Sequence, residues 1–210
     1  MALNLKKGGR FNLSKQAPGL KSAGIGLGWN PNEEPDGPDF DLDVSAFLLD
    51  ASGKVPTEDY VVFFNSERKV ESAEGMRPIS GDGSVWGAVD SLTGGEKDGG
   101  DEEDMRLYLD KVWEGITEIV ITVTITKYPS DKNRDRRTLL QNFGMVEDCY
   151  IRVWDEDSGD EILKYSLQEK FTSEDAVEFG RFIRVDGTWE FIATTKAYTG
   201  GLQKFIDLLT

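Results

Sequence analysis

Apolar and polar positions alternate along most of this chain, with the two-residue period of a strand. Residues 118–127 show it best: Ile119, Ile121, Val123 and Ile125 fall on one side, and the segment is rich in β-branched residues. Residues 40–49 behave alike, with Phe40, Leu42, Val44, Ala46 and Leu48 sharing an apolar face. Further strands are expected over residues 22–29, 105–109, 149–154 and 161–167. Residues 176–186 and 188–195 predict a hairpin around Asp186 and Gly187, a favoured two-residue turn. The apolar run 60–65 is too short for a typical helix and reads as a buried strand. Only Leu202, Phe205, Ile206 and Leu209 follow helical spacing, with a second short helix expected over 138–143. Nine or ten strands, one or two short helices and no β-α-β alternation predict an all-β fold, a two-layer antiparallel sandwich. No linker divides the chain, so residues 1–210 are expected to form a single domain.

Two stretches break the pattern. Residues 66–104 are rich in glycine and lack periodicity, which predicts a long loop with one short strand near 85–89. This loop ends in the acidic run 101–104, at the entrance to a strand. The second acidic row, Asp39, Asp41 and Asp43, stands opposite the apolar face at the mouth of the strand over 40–49. Aspartate is a poor strand former, and like charges in a row repel. A hard cation would compensate them, since calcium takes about 6–8 oxygen ligands, many from carboxylates. A solvated edge strand kept polar against aggregation fits the same pattern, and the residues alone leave both readings open.

Composition narrows the chemistry. With 24 basic and 39 acidic residues, the formal net charge is −15. Such a field repels phosphate backbones and anionic lipid, so neither nucleic acid nor a membrane surface is an expected partner. There is no histidine, which excludes Ser-His-Asp triads, histidine acid–base catalysis and the usual zinc sites. A metal site in this chain must be built from oxygen. Cys149, the single cysteine, forms no internal disulfide and has no basic neighbour in sequence, so it reads as an inert buried thiol. The N-terminal residues contain no long apolar run, and a cytoplasmic location is expected.

Other acidic constellations occur along the chain. Residues 155–161 have a superficial likeness to a calcium loop. The sixth and twelfth positions, however, hold Asp160 and Ser166 instead of glycine and glutamate, so a hairpin turn is the better reading. Asp43 with Glu103 is the pair to test for glycosidase-type acid and nucleophile, although clustered acids suit a divalent cation better than a protonated general acid. Core packing accounts for most of the five tryptophans.

Several motifs taken together resemble the TerD family, named for bacterial tellurite resistance. They include Lys7-Gly8-Gly9, Asn12-Leu13-Ser14-Lys15, Ala17-Pro18-Gly19-Leu20, Gly26-Leu27-Gly28-Trp29, Asp39-Phe40-Asp41-Leu42-Asp43 and Val62-Phe63-Phe64-Asn65. Leu92-Thr93-Gly94, Gly100-Asp101-Glu102-Glu103, Phe143-Gly144, Tyr150-Ile151-Arg152-Val153, Phe179-Gly180 and Tyr198-Thr199-Gly200-Gly201-Leu202 follow in the same order. The resemblance implies a β-sandwich whose acidic loops bind Ca2+, with Asp39, Asp41, Asp43, Asn65, Asp101, Glu102 and Glu103 as ligand positions and Gly100 offering a carbonyl. It further implies a non-enzymatic role in tellurite and chemical stress, within larger assemblies of stress-response proteins. A metal-assisted hydrolase using the same acidic cleft is the alternative. Two departures from the family pattern stand out: residues 78–97 form a longer stretch, with Trp86 inserted, and Asn30 follows Trp29 where aspartate is common.

Overall fold

A computed structural model describes residues 3–93, 100–127 and 135–210. Among them are fourteen strands, most of them in two six-stranded sheets packed face to face. The first sheet runs in the order β1 (Leu3–Asn4), β12 (Glu161–Ser166), β11 (Tyr150–Asp155), β3 (Ser22–Gly28), β9 (Glu103–Tyr108) and β8 (Val85–Trp86). The second runs β2 (Arg10–Asn12), β14 (Thr188–Tyr198), β13 (Ala176–Val185), β10 (Ile116–Ile125), β4 (Leu42–Asp50) and β5 (Val61–Val62). Pairing is antiparallel apart from the edge pair β1 and β12. The two-layer β-sandwich expected from the alternation is therefore the fold.

The core lies between the sheets and is filled by the alternate residues of each strand. Ile25 and Leu27, Met105 and Leu107, and Ile151 and Val153 meet Leu42, Val44, Ala46 and Leu48, Ile119, Ile121 and Val123, and Phe179 and Phe182. A bulge between Glu178 and Gly180 shifts the inward parity of β13, which is why Phe179 and Phe182 both point into this core. The outer face of the second sheet has its own cluster, in which Phe47, Leu49, Val120 and Ala176 are covered by Phe205 and Leu209 of α2 (Gly201–Leu209). A short helix, α1 (Leu13–Gln16), is capped by the Asn12 side chain, which accepts a hydrogen bond from the Lys15 N–H.

The structure departs from the sequence expectation in four places. Residues 66–93 hold more than the one short strand expected near 85–89, which is present as β8: β6 (Lys69–Ser72) and β7 (Gly75–Pro78) form a separate two-stranded hairpin before it. The expected strand over 60–65 shrinks to Val61–Val62, preceded by a 3₁₀ turn at Glu58–Tyr60. The expected helix over 138–143 is a 3₁₀ turn at Arg136–Leu140. Finally, β4 begins at Leu42, leaving Asp39 and Asp41 in the approach to the strand, because side chains and a non-sheet amide take the carbonyls there. Gln141 Nε2 donates to the carbonyls of Pro38 and Asp39, the Trp29 indole donates to Phe40, and the Thr126 N–H donates to Asp41. The glycines at 94, 95 and 99 and most of the mixed-charge loop at 130–137 lie outside the described residues.

Candidate metal centre

The end of the sandwich where β4 starts is incomplete on one edge. β10 pairs with β4 along its length, but β5 reaches only Ala46 and Phe47. At Val44 a side chain stands in for the absent strand: the Val44 N–H donates to Glu103 Oε2 at 2.8 Å. Glu103 opens β9 and has the same inward parity as Met105 and Leu107, so β9 delivers a carboxylate to the end of an otherwise apolar row. Its second oxygen, Oε1, accepts the Ser91 N–H at 3.2 Å. Glu103 thereby binds the start of β4 to the segment after β8.

Three carboxylates converge here. One oxygen each from Asp43, Asp90 and Glu103 lies within 4.8 Å of the other two. Asp43 and Glu103 are buried and Asp90 is exposed, so the cluster is open on one side. Thr126, just past β10, donates its hydroxyl to Asp43 in a short hydrogen bond. Burial is the foremost cause that pushes the Asp43 carboxyl up to about 8; the Thr126 hydroxyl opposes it, and the charges of Asp41 and Asp90 add to it. Burial also raises Glu103 well above the usual carboxylate range, with Asp43 adding to the shift. Without a counter-charge these groups favour holding protons at neutral pH. A divalent ion would supply that charge, and the spacing suits one: two oxygens each about 2.4 Å from a calcium ion are at most about 4.8 Å apart. The donors are all hard oxygens, the set that calcium and magnesium prefer.

The residues expected from sequence are spread around this centre. Asp43 and Glu103 are in it; Asp90 was not foreseen. Its signal was available, since Asp90 is the only charged residue between Ser84 and Gly95. Asp41 and Glu102 are buried nearby in sequence but outside the three-acid group, and the Glu102 N–H pairs with the Leu27 carbonyl. Asp39 and Gly100 are exposed. Asn65, also exposed, lines a separate cavity of about 440 Å³ with Asp59, Glu67, Arg68 and Ile79. Asp101 is engaged by a cation: Arg152 Nε lies 2.9 and 2.8 Å from its two oxygens, and the Tyr150 hydroxyl donates to it at 3.1 Å. Gly26 makes that arrangement possible, for a Cβ there would come within 2.1 Å of Asp101 Oδ2. The acidic turn over 155–160 is, as expected, a hairpin connection between β11 and β12.

Fold and site together define a β-sandwich with a carboxylate cluster at the open edge of one strand. The TerD domain family matches residues 1–208, and the chain belongs to that family. Among its relatives, the tellurium resistance protein TerD of an Alcaligenes species is 39% identical over 202 residues, covering 96% of this chain and 94% of that protein. General stress protein 16U of Bacillus subtilis is 36% identical over 204 residues, covering 97% and 95%. A crystal structure of a telluride resistance protein homologue from Streptomyces coelicolor has the same fold, with a TM-score of 0.64 at 22% identity, covering 89% of this chain and 95% of that one. Among the described residues no helix is long and apolar enough to cross a membrane.

Proposed function

We propose that this chain is a calcium-binding, non-enzymatic stress-response protein in which the ion is held between Asp43, Asp90 and Glu103. The observation that carries the reading is the convergence of these acids, two of them buried, with oxygens inside the span of one calcium shell. Three carboxylates provide up to about six of the roughly 6–8 oxygens calcium takes, and water on the exposed Asp90 side completes the shell. The cation neutralises charges that otherwise repel, so binding stabilises the edge of the sandwich. The names of the relatives support a role in tellurium resistance and general stress. The setting we propose is cytoplasmic, with other stress-response proteins as partners.

A hydrolase at the same acids would need a proton-transfer group beyond the ligands. Among the described residues, the groups that donate hydrogen bonds to Asp43 and Glu103 include the Thr126 hydroxyl and the N–H groups of Val44 and Ser91, none of which is an acid or base near neutrality. Measuring calcium retained per chain after desalting, by elemental analysis, tests the proposal. Asp90→Asn should leave the fold intact and weaken calcium binding tenfold or more, because it removes a charged ligand at an exposed position. Unchanged retention in that variant would remove Asp90 from the site.

A further inference from the structure

The structure assigns Arg77 as the residue that positions two of the three ligands: it spans the segments carrying Asp90 and Glu103 and sets their separation. The inference rests on the calcium reading above and goes beyond it, since Arg77 touches none of the three acids.

Arg77 sits on β7, in the hairpin that carries no apolar period, and its side chain is fully enclosed, with 0% of the residue exposed. A buried arginine is costly unless its charge and its donors are matched. Here Nη2 donates to both oxygens of Asp104, at 3.0 and 2.9 Å, while Nε makes no hydrogen bond and lies 3.7 Å from Glu74 Oε2. Nη1 donates to the Asp104 carbonyl at 2.8 Å and to the Gly87 carbonyl at 3.1 Å. Asp104 is the residue next to Glu103, and Gly87 lies three residues before Asp90. One guanidinium thus joins the backbone just ahead of one ligand to the backbone just after another. Gly87 is drawn in further by its own N–H, which donates to the Pro78 carbonyl at 2.7 Å, and a Cβ at this glycine would meet the Pro78 ring at 2.9 Å. The planar fork of arginine makes such a three-point clamp possible, whereas a lysine ammonium is a single point charge on a flexible stem.

Carboxylates brought within 4.8 Å repel one another once they are ionised to take up a cation. A clamp holding the 87–91 segment against β9 lowers the ordering cost that calcium must otherwise meet, so its loss should appear in affinity. Two variants separate this from a general packing role. Arg77→Lys keeps the charge opposite Asp104 but cannot also reach Gly87. Arg77→Met combined with Asp104→Leu replaces the ion pair with apolar groups, an exchange that is often neutral for stability.

Calcium titration of the metal-stripped protein, well below its melting temperature, should show dissociation constants at least tenfold weaker in both variants. The metal-free melting temperature should move little in the double variant. Affinity within twofold of the wild type in both variants, with the wild type binding calcium, would overturn the role of Arg77 alone. A wild-type chain that takes up no calcium would overturn the calcium reading and this inference together.

Discussion

Asp43 shows how one residue can be placed from its sequence neighbours and still owe its chemistry to the burial that the fold imposes on it. The alternation over 40–48 places it on the polar side of its strand, but the raised carboxyl comes first from burial, which the fold imposes, and then from the neighbouring charge of Asp41 together with that of the distant Asp90. The linkage follows from that shift. A folded value near 8 against about 3.9 in the unfolded chain means that Asp43 contributes stability fully below about pH 4, and that this contribution is lost as pH rises through about 8. Metal-free protein should therefore melt at a lower temperature at pH 8.5 than at pH 6. Calcium must displace the same protons, so its affinity should strengthen over that interval, by up to about tenfold per pH unit for each proton released. Titrations in buffers of different ionisation enthalpy read the proton release directly; a pH-independent affinity with no protons released contradicts the assignment of Asp43. Asp101 carries the opposite lesson. It has the same parity as Glu103, yet Asp101 precedes β9, so strand alternation does not extend to it and Arg152 captures it instead.

At the scale of elements, strands that bury one face were legible and those that bury neither were not. β10 and the β13–β14 hairpin announce themselves because Ile119, Ile121, Phe182 and Phe191 must reach the core. β6 alternates between exposed and half-buried positions, so no apolar period marks it, and the hairpin it forms with β7 passes for loop. The helical spacing of Leu202, Phe205, Ile206 and Leu209 was legible for the same reason as β10. What holds the start of α2 was not, because its capping residue lies 25 residues upstream. Asp175 Oδ1 accepts the N–H groups of Gly200 and Gly201 at 2.8 and 2.9 Å, while Lys127 donates to Oδ2 at 2.8 Å. Asp175→Ala strips two N–H groups of their acceptor and Lys127 of its counter-ion. It should cost about 1–3 kcal/mol and speed amide exchange in α2 before the rest of the second sheet. Exchange rates in α2 equal to those of the unaltered chain would show that the Phe205 and Leu209 contacts suffice to hold the helix.

For the whole molecule, the sandwich class was readable from periodicity alone, since a chain of alternating strands has few ways to bury one face of each. The centre was readable only in part. Asp43 and Glu103 are 60 residues apart, and what joins them is the crossing of two sheets at an edge that β5 leaves uncovered, a feature of topology rather than of local pattern. The net charge of −15 bears on the same centre: a strongly acidic chain draws divalent cations towards it and holds anions off. Calorimetric titration of the metal-stripped protein with calcium, alongside melting curves and a magnesium control, decides whether Asp43, Asp90 and Glu103 hold an ion. A calcium-binding centre gives saturable heat with calcium, a weaker response to magnesium, and a melting temperature that climbs with calcium, equivalent to about 2.7 kcal/mol at a hundredfold excess over the dissociation constant. No heat and no change in melting temperature would leave the Asp43 and Glu103 carboxyls holding protons in place of an ion, and would contradict calcium binding by this chain.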